Sequence, residues 1–182
     1  MKLLKAIFGH LKTVLIHKYW VFYYCRKLGI PWQGITHDLS KFSWTEFSES
    51  VKYYQGGTKS PIPVIKEKNG YSKAWQHHKG TNPHHYEYWV DNLDNGGVAI
   101  KMPYKYVIEL ICDYLAAGRT YRGSGFTYED ELSWWKLKLE RETPKIHPET
   151  ANFITFVFTK LALGCYDLEP KVFQKAKEFL KY

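Results

Sequence analysis

Cysteine is scarce in this 182-residue chain, and the three residues present, Cys25, Cys112 and Cys165, are widely spaced with no Cys-x-x-Cys pair. Neither a disulfide framework nor a thiolate zinc site is indicated. A reducing, cytoplasmic setting is the expectation, with Cys25 and Cys112 as small core residues. With 13 glycines and 8 prolines, a collagen-like composition is excluded. No long run of lysine or arginine and no zinc-finger or RNA-recognition signature occurs, so nucleic acid is not the expected partner. Long apolar runs are missing as well. In MKLLKAIFGHLKTVLIHKYWVFYYC, Lys5, His10, Lys12, His17 and Lys18 break the sequence every few residues, leaving no signal core and no transmembrane segment. That stretch reads as a basic amphipathic helix, for which attachment to a membrane surface is a secondary expectation.

Aromatic residues, by contrast, make up 18% of the chain and hydrophobic residues 45%, enough to build a sizeable core and to exclude disorder. Twenty-six Lys and Arg against 18 Asp and Glu give a formal charge of +8, which favours anionic partners. The eight histidines are bunched. Five fall between His37 and His85, four of those between His77 and His85.

Periodicity predicts helices throughout. The first runs from about Lys2 to Leu28, stopped by Gly29 and Pro31; Ser43 to Glu46 forms a capping box for the next, which ends at Gly56 and Gly57. Residues 56–70 read as a loop. Ser72 caps a short helix through His78, and Asn82-Pro83 restarts a helix carrying His84 and His85 to about Leu93. Further helices are expected from Pro103 to Ala117 with Gly118 as the stop, from Thr127 to Pro144, from Pro148 and after Pro170. No strand alternation or internal repeat is present, so the fold class is all-α. One domain is expected, with a metal-site core over about 1–120 and a helical extension over about 127–182.

The chemistry-bearing residues are His17 on the first helix, the pair His37-Asp38, then His78, His84 and His85, and Asp113 on an otherwise apolar helix. A carboxylate there is costly to bury unless a cation or donors satisfy it. Imidazole and carboxylate together suit divalent Mn, Fe, Zn, Co or Ni, supplied by side chains pointing inward from facing helices. Lys41 shares a helical face with Asp38 and is placed to offset charge on an anionic substrate. Glu46 reads as a base, a substrate contact or simply a capping residue, and Glu109 can share a face with Asp113. Glu87 is a candidate for orienting an imidazole. Arg119 and Arg122, beside Gly123-Ser124-Gly125, are candidate phosphate contacts, whereas the Trp134-Trp135 pair is expected to pack and His10 and His147 to lie at the surface.

The ordered motifs His17-Lys18, HDLSK (His37 to Lys41), HKGTNPHH (His78 to His85) and CDYLAAG around Asp113 resemble the HD-domain superfamily of metal-dependent phosphohydrolases. HDLSKFSWTEF and HKGTNPHHYEYW also look like a group of uncharacterised bacterial and phage proteins. The resemblance implies a helical bundle with a basic metal set of His17, His37, Asp38 and Asp113, to which His78, His84 and His85 add the ligands of a second ion bridged by Asp38. It implies that a metal-activated water attacks phosphorus while Lys41 offsets charge, so Asp38 and Lys41 are the candidate catalytic residues. The His78 to His84 interval is short for cyclic-dinucleotide phosphodiesterases, and their glycine-tyrosine-proline signature is missing. A small phosphate ester, a nucleotide among them, is the expected substrate. The same ligand order occurs in HD-fold di-iron oxygenases, which keeps an oxidative reaction open beside a non-catalytic module with a structural metal site.

Overall fold

A computed structural model describes residues 2–142 and 145–182. Its described residues are helical apart from loops and one two-residue hairpin, so the chain is all-α as expected. The helices are α1 (Lys2–Lys27), α2 (Pro31–Thr36), α3 (Trp44–Lys52), α4 (Ile62–Asn69), α5 (Lys73–Thr81), α6 (Tyr104–Arg122), α7 (Tyr128–Glu142), α8 (Pro148–Ala162) and α9 (Pro170–Phe179). The expected end of α7 at Pro144 lies outside the described residues.

Local chemistry explains most of these boundaries. The Ser43 hydroxyl accepts from the Glu46 N–H and the Ser72 hydroxyl from the Trp75 N–H, each satisfying an orphan donor at a helix start. His147 does more than sit at the surface, because its ring accepts from the Glu149 N–H and caps α8. Four expectations are corrected. Residues 62–69, read as loop, form α4, entered through Pro61 and Pro63 and closed by Gly70 at φ 77°. Asn82 ends α5 instead of starting a helix: its side-chain amide donates to the His78 carbonyl at 2.7 Å and to Ser40 Oγ at 2.8 Å. His84 and His85 therefore lie in a turn, followed by a 3-10 turn at Tyr86–Trp89 and strands β1 (Val90–Asp91) and β2 (Val98–Ala99), which pair antiparallel where none was expected. Finally, α6 runs through Gly118. A Cβ there would come within 2.3 Å of the Phe126 ring, so glycine is required by close approach and not by helix termination.

The core is a slab in which α6 is central. Every residue from Val107 to Ala116 is buried, with α1 packed along one side and α7 and α8 on the other. Val21, Cys25, Leu110, Cys112, Trp135, Phe153 and Phe158 belong to one continuous apolar cluster. Gly34 lets α2 lie directly on α1, since a Cβ would meet Phe22 Cα at 2.8 Å. The HD segment after α2 is thereby held against α1, and α3 and α5 close the assembly over it.

Candidate metal centre

Two carboxylate residues on α6 and histidines from four separate segments meet inside this frame. Asp113 and Glu109, one turn apart, face away from the apolar cluster; His17 comes from α1, His37 and Asp38 from the end of α2, His78 from α5, and His84 and His85 from the turn after it. All are buried. Asp38 is 1% exposed and adopts φ 55°, a left-handed conformation that Asp tolerates better than most residues, and this bend turns both His37 and Asp38 inward.

Asp38 is the hinge of the geometry. Its Oδ1 lies 3.3 Å from His78 Nε2 and 3.4 Å from His84 Nε2, while Oδ2 lies 3.1 Å from His37 Nε2 and 3.6 Å from His17 Nε2. Asp113 Oδ1 is 3.0 Å from His17 Nε2 and 3.5 Å from His37 Nε2. The ligand atoms fall into two tetrads that share Asp38, one of Asp38, His78, His84 and His85, the other of His17, His37, Asp38 and Asp113. Ligands about 2.1 Å from one ion stand about 3.0–3.4 Å apart in octahedral or tetrahedral geometry, which is close to the spacings found.

Five of the inner atoms lack a well-directed hydrogen bond. His17 Nε2, His37 Nε2, His84 Nε2, His85 Nε2 and Asp38 Oδ1 are buried and unsatisfied, and all five belong to the two tetrads. Buried polar atoms are nearly always paired, so five such atoms gathered in two adjoining clusters are expensive unless cations fill them. Outward-facing nitrogens, in contrast, are well held. His37 Nδ1 donates to Glu109 Oε1 at 2.9 Å, His84 Nδ1 lies 3.2 Å from the same oxygen, and His78 Nδ1 donates to Glu46 Oε2 at 2.7 Å. Such contacts fix the tautomer and aim Nε2 inward.

Charge points the same way. Burial opposes ionisation of Asp38 and Asp113, yet His37 with Lys41 and His78 around the first, and His17 with His37 around the second, hold both well below the usual carboxylate range. Burial also opposes a charged His37, but Asp38, Asp113 and Glu109 outweigh it and push its pKa well up. The acids thus favour positive charge at this point, which a divalent ion supplies as it displaces protons from its ligands. His85 is the opposite case. Burial first, then His84 and His78, keep its pKa far below normal, leaving a neutral imidazole with a lone pair.

The expected ligands His17, His37, Asp38, His78, His84, His85 and Asp113 are thus all brought together, and Lys41 is ion-paired with Asp38 at the edge of the set. A cavity of about 260 Å³ adjoins them, lined by Lys41, Asp113, His17, His78 and His85 and by apolar groups such as Val14, Ile62 and Trp75. Glu46 also lines the cavity, and its two oxygens already accept from His77 and His78 at 2.7 Å each, so it orients the rings. Glu87 lines the cavity and bonds to no imidazole, with Oε2 unpaired. Arg119 and Arg122 do not join the site. The Arg119 guanidinium lies over Trp20 and Phe126, Arg122 pairs with Asp130, and neither lines this cavity.

Two participants escaped the sequence reading. Glu109 appeared there only as a neighbour of Asp113, not as the clamp on two histidines. His10, expected at the surface, is buried against Phe47 and Tyr54 and lines the cavity; burial and then Lys41 lower its pKa to about 4. Its seven-residue separation from His17, two helical turns on one face, was the available signal.

Fold and site together define an all-α protein with a buried histidine and carboxylate centre able to hold metal. The chain belongs to DUF5662, a family of unknown function, whose model matches residues 6–160 and so spans every residue of the centre. No curated protein and no solved structure matches it.

Proposed function

We propose that this protein is a metal-dependent phosphohydrolase of HD type that acts on a small phosphate ester. The observation that carries this reading is the gathering of four unsatisfied imidazole nitrogens around Asp38, whose own Oδ1 is the fifth such atom, in two tetrads that a pair of divalent transition-metal ions (Mn, Fe, Zn, Co or Ni) would fill. Held there, such an ion supplies Lewis acidity and a nucleophile available near neutral pH. Asp38 and the histidines bind and orient, with Glu46 and Glu109 fixing the rings. Lys41, drawn to Asp38 yet facing the cavity, keeps its proton because Asp38 and Asp113 outweigh burial, and it can donate to one oxygen of an anionic substrate. The apolar cavity wall takes the organic part of the ester.

The adjoining cavity favours a catalytic centre over a purely structural one, since structural sites are closed. The all-nitrogen-and-oxygen ligand set also suits iron, which keeps a di-iron oxygenase as the second reading. Elemental analysis of protein purified without added metal is expected to find about one or two equivalents of transition metal, lost in Asp38→Ala. A screen of phosphate monoesters and nucleotides then tests the reaction. No metal in the wild type would sink the centre, whereas bound iron with an oxygen-dependent absorption change and no phosphatase activity would replace the hydrolase by the oxygenase.

A further inference from the structure

The outer face of α1 carries an apolar row that no described segment covers. Leu4, Phe8, Leu15 and Tyr19 lie on the side opposite His10, Val14, His17 and Val21, and Phe8 and Tyr19 are 65% and 61% exposed. The segment that follows α1 also carries exposed apolar side chains. Lys18 Nζ donates to the carbonyls of Ile35 at 3.1 Å and His37 at 2.6 Å, tying α2 and the following turn alongside α1. There Trp32 and Trp44 stand out at 73% and 84% exposed, with Ile35, Leu39 and Phe42 between them in sequence. So many large apolar side chains on one segment exceed the scattered exposure of an ordinary surface.

The charge along α1 and α2 has one sign. From Met1 to His37 the chain contains six basic residues (Lys2, Lys5, Lys12, Lys18, Arg26 and Lys27) and no Asp or Glu. The first acids, Asp38 and Glu46, are buried and already paired within the centre. A second copy presenting the same face would bring lysine against lysine, and a nucleic acid offers nothing to leucine and phenylalanine. An anionic bilayer surface satisfies both halves of the face, with headgroups for the lysines and the acyl boundary for the aliphatic and aromatic rows. No helix among the described residues is long and apolar enough to cross a membrane, so the helix would lie on the surface.

We infer that α1 and the segment from Trp32 to Trp44 form a docking face for an anionic membrane surface. The test uses the full chain with vesicles of phosphatidylcholine alone or with about 30% phosphatidylserine. Wild type is expected to sediment with the anionic vesicles and not the neutral ones, with a blue shift of tryptophan emission and weakening by salt. The variant Phe8→Glu/Leu15→Glu is expected to lose about tenfold or more in partitioning, and Lys5→Glu/Lys12→Glu about fivefold or more. All four positions are solvent-facing, and circular dichroism with elemental analysis checks that fold and metal content are unchanged, which separates this result from the fate of the metal centre. Failure of wild type to bind anionic vesicles overturns the inference, as does equal binding by both variants. A dimer that Phe8→Glu/Leu15→Glu dissolves, seen by light scattering, would overturn it by giving the face to a second copy.

Discussion

The two sides of α6 are built on different physics. Toward α7 and α8, Leu110, Trp135, Phe153 and Phe158 are held by close packing, and the polar groups that enter, such as Trp135 Nε1 on Thr155 Oγ1 at 2.8 Å, are satisfied. Toward α1 and α5 the same helix offers Glu109 and Asp113 to five histidines and Asp38, and five of the inner atoms are left without a well-directed partner. One side contributes stability through burial. The other gives up part of it to hold charges and lone pairs in fixed positions.

Substitutions on the two sides should therefore separate cleanly. The largest effect is expected from Asp38→Ala, which removes the only side chain common to both tetrads; bound metal should fall below about a tenth of an equivalent, and any metal-dependent turnover with it by about a thousandfold or more. Elemental analysis and rate measurement check this. Phe153→Ala is the matched change on the apolar side, expected to cost about 3–5 kcal/mol in denaturant unfolding while the folded fraction keeps its metal. Loss of metal from folded Phe153→Ala would show that the two sides are not independent.

Glu109→Gln sharpens the boundary between them. The amide keeps the shape but accepts less strongly from His37 and His84, and metal affinity in a chelator competition should drop about tenfold to a hundredfold with little change in stability. Glu131 gives the smallest and most pH-specific effect. Burial, with Asp113 adding to it, raises its pKa from 4.5 to about 8. The folded state then binds more protons than the unfolded state between those values, so stability is expected to fall as pH rises from about 4.5 to 8. Glu131→Gln should flatten that slope and gain about 1–2 kcal/mol at pH 9, measured by unfolding across the range.

Much of the helical frame was legible because it rests on local rules: Ser43 and Ser72 as caps, Pro148 and Pro170 at first turns, and the apolar spacing of α1 and α6. The clustering of His17, His37, Asp38, His78, His84, His85 and Asp113 was legible because ionisable groups on largely apolar helices are costly to bury unless they meet one another or a cation. What escaped depends on partners distant in sequence. Asn82 looks like a helix start until Ser40 and the His78 carbonyl are there to receive its amide, and Gly118 looks like a helix stop until Phe126 fills the space beside it. Glu46 shows the same limit, because its capping position says nothing of His77 and His78, which come from another helix. The arginines were misread for the complementary reason. A glycine-rich turn beside two guanidinium groups suggests anion binding until Trp20, Phe126 and Asp130 occupy them.

The backbone of Asp38 narrows what can occupy that position in any related chain. Among the residues that ligate through a carboxylate, Asp enters the left-handed region far more readily than Glu, so a swap to the longer acid would strain the turn before it disturbed a ligand. Alanine lacks the short polar side chain that eases this conformation, whereas asparagine tolerates φ 55°, keeps one oxygen and exchanges the charge and the second acceptor for an N–H donor. Asp38→Asn is therefore the substitution that divides what this residue does as a shape from what it does as an anion.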